Sequence, residues 1–121
     1  MSSTVDSPKV SFYIEVNKLI LGSGGIVTFK YPIKKVLDAS NVVIVMLRPP
    51  IGVIFNENVY GVDYKGTILW QVPPQQHLDP ESPYTDMSLT PDGHIGLYNW
   101  DAGFYIIEPL TGKIIAEKFA K

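Results

Sequence analysis

Residues 58–73, NVYGVDYKGTILWQVP, decide the fold that we predict for this chain. Residues 59–63 and 67–72 are rich in β-branched and aromatic side chains, which favour strands. Residues 64–66 lie between them as a tight turn, and the glycine at its end accepts a positive φ because it has no Cβ atom. The stretch therefore predicts a β-hairpin with an aromatic anchor, Trp70, near its end.

The composition is that of one folded globular domain. The chain has 121 residues, of which 45% are hydrophobic and 18% are charged. Its formal net charge of −2 disfavours binding to nucleic acid through a cationic surface. No apolar run approaches the roughly 18 residues that cross a bilayer, so we expect no membrane partner and take a cytoplasmic location as the default. The chain has no cysteine, which excludes disulfides and thiolate ligands.

Glycines and prolines divide the whole chain, residues 1–121, into strand-sized intervals of a single domain. Residues 1–9 are serine-rich and predict a flexible tail. Residues 10–32 predict a three-stranded meander, which begins with strict alternation of apolar and polar side chains. Residues 73–85 form a proline-rich connector, since proline cannot serve a central strand. The long loop before the hairpin has an apolar middle that allows one extra edge strand.

Two four-stranded units are predicted on either side of the connector, residues 33–72 and residues 86–121. Their strands are predicted at 33–37, 42–47, 59–63 and 67–72, and at 87–89, 95–99, 104–108 and 113–119. Asp63 and Gly66 of the first unit correspond to Glu108 and Gly112 of the second, and the two glycines are 46 residues apart. This spacing is typical of a repeated antiparallel blade, so the predicted fold is all-β.

The hairpin carries Tyr60, Asp63, Gly66 and Trp70 in an order that resembles the blades of β-propellers of the pyrroloquinoline-quinone-like type. In that family, small-x-Asp-x-x-Thr-Gly precedes by four residues a tryptophan that docks onto the neighbouring blade. Residues 111–112 repeat the Thr-Gly pair in the second unit. The resemblance implies that the two units are propeller blades.

The chain also departs from that pattern. The first turn is one residue short and has Lys65 in place of threonine, while the second unit has Glu108 for aspartate and Ala116 for tryptophan. Residues 90–93, TPDG, resemble an inner hairpin turn of many propellers. No residue matches a quinone ligand, so we predict no cofactor.

Two architectures are consistent with two blade-like units and the three-stranded meander at residues 10–32. A propeller needs roughly four blades or more to close its ring, so neighbouring copies of the chain would have to complete it. Alternatively, the meanders pack face to face within one chain as a β-sandwich or a partly open barrel. We favour the homo-oligomer, since unpaired sheet edges otherwise template aggregation.

The connector holds His77 close to Asp79 and Glu81. An imidazole beside carboxylates suits a divalent cation or an acid–base pair. The spacing matches no established ligand motif, and polar surface loops have the same composition. We therefore predict a solvated loop with His77 as a candidate binding residue, and neither a metal site nor a catalytic residue.

A second group of candidates surrounds the turn at residues 100–103. Tyr98, Trp100 and Asp101 belong to this turn, and Tyr84 approaches it from the connector. Aromatic side chains carry much of the binding energy of interfaces, so the turn is a candidate contact surface. His94 begins a strand and is added as a weaker candidate. The alternative is that Trp100 seals the end of the sheets.

These features predict a non-enzymatic binding domain that acts through self-assembly or a protein partner. The chain contains no nucleophile elbow and no HExxH sequence. The alternative is a module for a small molecule or carbohydrate, or an enzyme, with a pocket near Tyr98, Trp100, Asp101 and His94. A third reading is a fragment of a larger propeller without a function of its own.

Overall fold

The computed structural model describes residues 11–77 and 79–119, and these residues form strands and turns without a helix. The strands are β1 (Phe12–Glu15), β2 (Lys18–Leu21), β3 (Ile26–Thr28), β4 (Ile33–Ala39), β5 (Val42–Leu47), β6 (Val59–Asp63), β7 (Ile68–Gln71), β8 (Tyr84–Leu89), β9 (Ile95–Asn99), β10 (Gly103–Ile107) and β11 (Ile114–Phe119). The all-β prediction is therefore confirmed. The described residues contain no helix able to cross a membrane. The tail predicted at residues 1–9 lies outside the described residues.

Each strand pairs with the next one along the chain, so the fold consists of three antiparallel meanders. The N-terminal sheet has the order β1-β2-β3, the central sheet β4-β5-β6-β7, and the C-terminal sheet β8-β9-β10-β11. The predicted division into one three-stranded and two four-stranded meanders is confirmed. None of the three sheets closes into a barrel.

Strand β5 is buried on both faces, and this places the central sheet between the other two. All six of its side chains are buried. Successive side chains of a strand point to opposite faces, so the strand contributes to two different cores. The sets are Val42, Ile44 and Met46 on one face, and Val43, Val45 and Leu47 on the other.

The first set packs against the C-terminal sheet in what we call the C-terminal core. Its other buried members are Ala39, Val59, Trp70, Val72, Tyr84, Met87, Ile95, Leu97, Tyr105 and Ile107. The second set packs against the N-terminal sheet through Leu19, Leu21, Val27 and Phe29, together with Val62 of the central sheet. The three sheets thus form consecutive layers, with apolar burial as the main source of cohesion.

Three differences from the predicted strand bounds change the description of the fold. β8 begins at Tyr84, so the connector ends at residue 83 and the second unit begins earlier than predicted. Residues 51–58 contain no strand, so the extra edge strand was wrong. β1 ends at Glu15 because Val16 adopts a left-handed backbone conformation with a φ of 55°. Val16 is exposed, and the predicted alternation therefore does not continue to this residue.

The central and C-terminal sheets share their irregularities. In each sheet the register shifts once between the first and second strands, with the extra residue in the first, and once between the third and fourth strands, with the extra residue in the fourth. A bulge of this kind bends a strand and increases its twist. The shifts lie at residues 33/35 and 61/62 in the central sheet, and at 84/86 and 106/107 in the C-terminal sheet. The turns after the third strands also match, since Gly66 N donates to Asp63 O and Gly112 N donates to Glu108 O.

Trp70 fastens the central sheet to the C-terminal sheet. Its indole ring lies between Gly61, its cross-strand neighbour, and Gly112 in the turn before β11. A Cβ atom would lie 2.2 Å from ring atom Cε2 if placed on Gly61, and 2.5 Å from Cδ2 if placed on Gly112. The indole Nε1 donates a hydrogen bond of 2.8 Å to Pro109 O. The predicted aromatic anchor therefore contacts the next sheet through a space that only glycine leaves open.

We predict that Gly112→Ala destabilises the protein more than Gly93→Ala. Both glycines have a positive φ, 73° and 87°, so both substitutions strain the backbone. A Cβ atom at residue 93 meets nothing within 4 Å, whereas at residue 112 it overlaps Trp70. The free energy of unfolding should fall by about 1–3 kcal/mol more for Gly112→Ala. Urea unfolding of both variants measures the difference, and equal losses would contradict the Trp70 contact.

Candidate functional site

A groove of about 730 Å³ lies at the end of the sheets where β5 ends and β8 begins. One wall is the loop after β5 and the other is the end of the connector. The lining is mostly apolar and consists of Pro49, Pro50, Ile51, Val53, Ile54, Asp79, Pro80, Glu81, Pro83 and Trp100. We call this surface the Trp100 groove. Its volume is in the range of sites that bind small molecules or peptide side chains.

The two walls of the groove are joined by the side chain of Asn56. Its Nδ2 donates to Pro80 O at 2.8 Å, and its Oδ1 accepts from Ser82 N at 2.8 Å. Ser82 Oγ donates to Asp79 O at 2.7 Å, which closes the turn within the connector. These bonds fix the backbone of both walls relative to each other, so the groove is formed before any ligand binds.

Asn58 joins the central sheet to the C-terminal sheet beneath the groove. This fully buried side chain donates through Nδ2 to both Leu47 O and Tyr84 O at 2.9 Å. Its Oδ1 accepts from Tyr84 N at 2.8 Å. One amide thus satisfies the backbone of β5 and β8 at the point where their ladders end, and buried backbone groups require such partners.

Hydrogen bonds to carbonyl groups of the connector hold Trp100 at the rim of the groove. Asn99 Nδ2 donates to Ser82 O at 2.9 Å, and Trp100 N donates to Pro83 O at 3.0 Å. The backbone of the turn is therefore attached to the connector, while the Trp100 side chain remains 65% exposed. Trp100 forms part of an open surface and does not seal the end of the sheets.

Behind the turn, His77 and Asp101 form a buried pair. His77 Nδ1 lies 3.0 Å from Asp101 Oδ2, and the two side chains are 3% and 0% exposed. The other carboxylate oxygen, Oδ1, accepts from Gly103 N at 2.8 Å. At this distance the carboxylate can accept a hydrogen bond from Nδ1–H of the imidazole. The predicted solvated loop is therefore wrong for His77, which anchors the connector to the turn, whereas Asp79 and Glu81 are exposed.

Two tyrosines complete this buried cluster. The rings of His77, Tyr84 and Tyr105 meet edge to face, with centroids 5.6–6.1 Å apart. Burial raises the pKa of Tyr105 to about 12, with a further contribution from the Asp101 carboxylate. Burial also raises the pKa of Tyr84, and the nearby Tyr105 adds to this. Both phenols stay protonated at neutral pH and can donate hydrogen bonds.

The hydroxyl groups of Tyr84 and Tyr105 have different surroundings. Tyr105 Oη lies 3.4 Å from His77 Nδ1. Tyr84 Oη is buried, and it has no hydrogen-bond partner within the described part of the chain. Tyr84 was predicted to be a contact residue of the aromatic turn, but its side chain belongs to the C-terminal core. The cluster is closed to solvent, so its geometry holds the connector in place and offers no open position for a substrate.

The structure does not bring the predicted pocket residues together. Tyr98 lies on the outer face of the C-terminal sheet, where its ring packs against Phe104 with centroids 4.8 Å apart. His94 lies at the other end of β9, with Nδ1 3.2 Å from Asp92 and Nε2 3.7 Å from Glu108. Of the predicted residues, His77 and Asp101 meet in the buried pair, and Trp100 alone lines the groove. Across residues 11–77 and 79–119, no three histidine or acidic side chains are grouped for a metal ion.

Sequence reasoning missed most of the groove. In the sequence, the loop after β5 is recognisable only as an apolar stretch between strands. In the structure its Ile51 and Ile54 are highly exposed. Asn56 and Asn58 carried no recognisable pattern. Four prolines in the lining were the available signal, because they mark rigid surface segments on both walls.

Comparison with protein families gives one match. The sequence profile of DUF7957, a domain of unknown function, matches residues 9–119. The chain belongs to this family. No curated protein matches the chain. The family match covers all three sheets, so the unit of the family is the complete stack and not one of its meanders.

The tyrosine pair provides a test of the buried cluster. We expect Tyr84→Phe to leave the free energy of unfolding unchanged or to raise it by up to about 1 kcal/mol, because it removes a buried hydroxyl that has no partner among the described residues. Tyr105→Phe should lower it by about 1 kcal/mol, because it removes the hydroxyl next to His77. Thermal and urea unfolding of these isosteric variants measure both changes. The reverse order would contradict the assignment of partners.

Proposed function

We propose that this chain is a non-enzymatic interaction domain that assembles with a second copy through the outer faces of its terminal sheets. The observation that supports this is that the stack of sheets ends on two faces that each carry a row of apolar side chains. Each internal face of the three layers is covered by a neighbouring sheet. The outer faces of the first and last sheets carry rows of partly exposed apolar side chains. On the last sheet polar residues share this face, since Asp86 pairs with Tyr98 and Lys118 pairs with Phe104.

On the N-terminal sheet the outer face presents a row of three apolar residues. Tyr13 lies across from Ile20, and Ile20 lies across from Ile26. Tyr13 and Ile26 are 61% and 60% exposed. The residues that alternate with them, among them Leu19 and Val27, point into the N-terminal core. The row is therefore apolar on the side where alternation normally places polar residues.

On the C-terminal sheet the outer face presents Tyr98 and Phe104, which are direct cross-strand neighbours. Tyr98 is 46% exposed. Ile106 and Ala116 continue the apolar surface along the same face and are also cross-strand neighbours. Exposed apolar patches of this kind mark interaction surfaces in soluble proteins.

A contact between the first face of one copy and the last face of another is heterologous, and such contacts close when the rotation completes a ring. The resemblance to propeller blades favours this form. It implies a tryptophan docked on the neighbouring blade, and Trp70 contacts the Gly112 turn of the next sheet. Two copies would supply six sheets, within the range of roughly four to eight blades in propellers.

We expect the protein to have a solution mass of twice the 13.5 kDa of one chain. Ile26→Lys and Tyr98→Lys should each shift the mass toward that of the monomer. Each substitution introduces a charge into one of the two faces that the dimer would bury. Ile68→Lys is the matched control, since Ile68 is exposed on the edge strand β7 and belongs to neither face. Size exclusion with light scattering over a concentration series measures all four proteins.

Mixing the two lysine variants distinguishes the type of contact. Each variant retains one intact face, so a heterologous contact between them should restore part of the dimer. A wild-type protein that stays monomeric at every concentration would contradict the proposal. Dimerisation that depends on only one of the two residues would contradict the head-to-tail arrangement.

A further inference from the structure

We propose that the Trp100 groove binds an extended segment of another protein that carries an arginine beside apolar residues. The groove lies at the strand ends and shares no residue with the outer faces discussed above, so this inference does not depend on self-assembly. It rests on three properties of the groove: the charge of its rim, the exposure of its aromatic ring and the rigidity of its walls.

The charge of the groove is negative. Asp79 and Glu81 are its only charged lining residues in the part of the chain that the structure describes, and both are exposed. They flank Pro80 on the connector wall, so both carboxylates belong to the same short segment. A ligand that enters the groove therefore meets two acidic groups without a compensating cation in the lining, which favours a cationic ligand.

Trp100 selects a cation that has a flat surface. Its exposed ring offers a cation–π contact, which is stronger for tryptophan than for the other aromatic side chains. A guanidinium group stacks on such a ring and also forms paired hydrogen bonds with a carboxylate, whereas an ammonium group acts as a point charge. Arginine is therefore the cation that best uses Trp100 and the acidic rim together.

The opposite wall selects the neighbours of that arginine. Ile51 is fully exposed and Ile54 is more than half exposed, and neither belongs to the C-terminal or the N-terminal core. Covering them with apolar side chains of a ligand removes this surface from water. Prolines on both walls and the Asn56 bonds keep the groove preformed, which lowers the entropic cost of binding an extended segment.

The ligand preference is tested by selecting a phage library of random dodecapeptides on the immobilised full chain. We expect enrichment of peptides with arginine next to leucine, isoleucine or other apolar residues. The affinity of the selected peptides is then measured by fluorescence polarisation. Binding should weaken as the salt concentration rises, because exposed charges contribute to it.

Variants then assign the binding to the groove. Asp79→Asn combined with Glu81→Gln should weaken the selected peptides about tenfold, and Trp100→Ala should weaken them by about tenfold or more. Leu110→Ala is the control for Trp100, since Leu110 is exposed in the turn before β11 and outside the groove. The double amide variant replaces two surface carboxylates by near-isosteres, so it tests the charge even if Trp100→Ala proves unstable.

Several results would overturn the proposal. They are a consensus that lacks basic residues, an affinity that the double amide variant leaves unchanged, or no enrichment above that seen on the Trp100→Ala protein. The monomeric variant Ile26→Lys should bind the selected peptides as well as the wild type. A loss of peptide binding in that variant would also overturn it, because the groove would then exist only in the assembled protein.

Discussion

The two-sided burial of β5 is the constraint on which the rest of the structure depends. A strand covered on both faces cannot lie at the outside of a fold, so the sheet that contains it must be the middle layer. The alternation of its six apolar side chains divides them between two cores. Each neighbouring sheet then needs only one apolar face to join the stack. The N-terminal and C-terminal sheets satisfy this requirement and leave their second faces outside.

Apolar burial stacks the sheets, but polar side chains determine how their ends are arranged. Asn58 ties β5 to β8, and the His77–Asp101 pair ties the connector to the turn that carries Trp100. Hydrophobic contact is non-directional, whereas these hydrogen bonds have fixed distances and angles. They convert a long proline-rich connector into a rigid wall. The groove is a product of that rigidity, since its shape is set by bonds within the protein.

The two proposed surfaces follow from the same layered design. A stack of sheets has faces at its two ends and strand termini along its sides. The end faces carry rows of apolar side chains, which suits the packing of another sheet from a second copy. The strand termini carry loops, and loops on a rigid scaffold are where proteins place residues for recognition. The proposed self-assembly and the proposed ligand binding would therefore use different parts of the molecule and would be compatible with each other.

The sequence by itself determined the meanders, because turn residues and apolar alternation act between neighbours along the chain. Seven of the eight strands predicted for the two four-stranded units begin and end within two residues of their observed bounds, and the correspondence of Gly66 and Gly112 was visible as a spacing. Only the tertiary structure decided which faces are covered and which side chains meet at the groove. His77 and Asp101 are 24 residues apart, and nothing local to either predicts their contact or their burial. Long-range pairs of this kind arise from the stacking of sheets, which the sequence specifies only through the sum of many contacts.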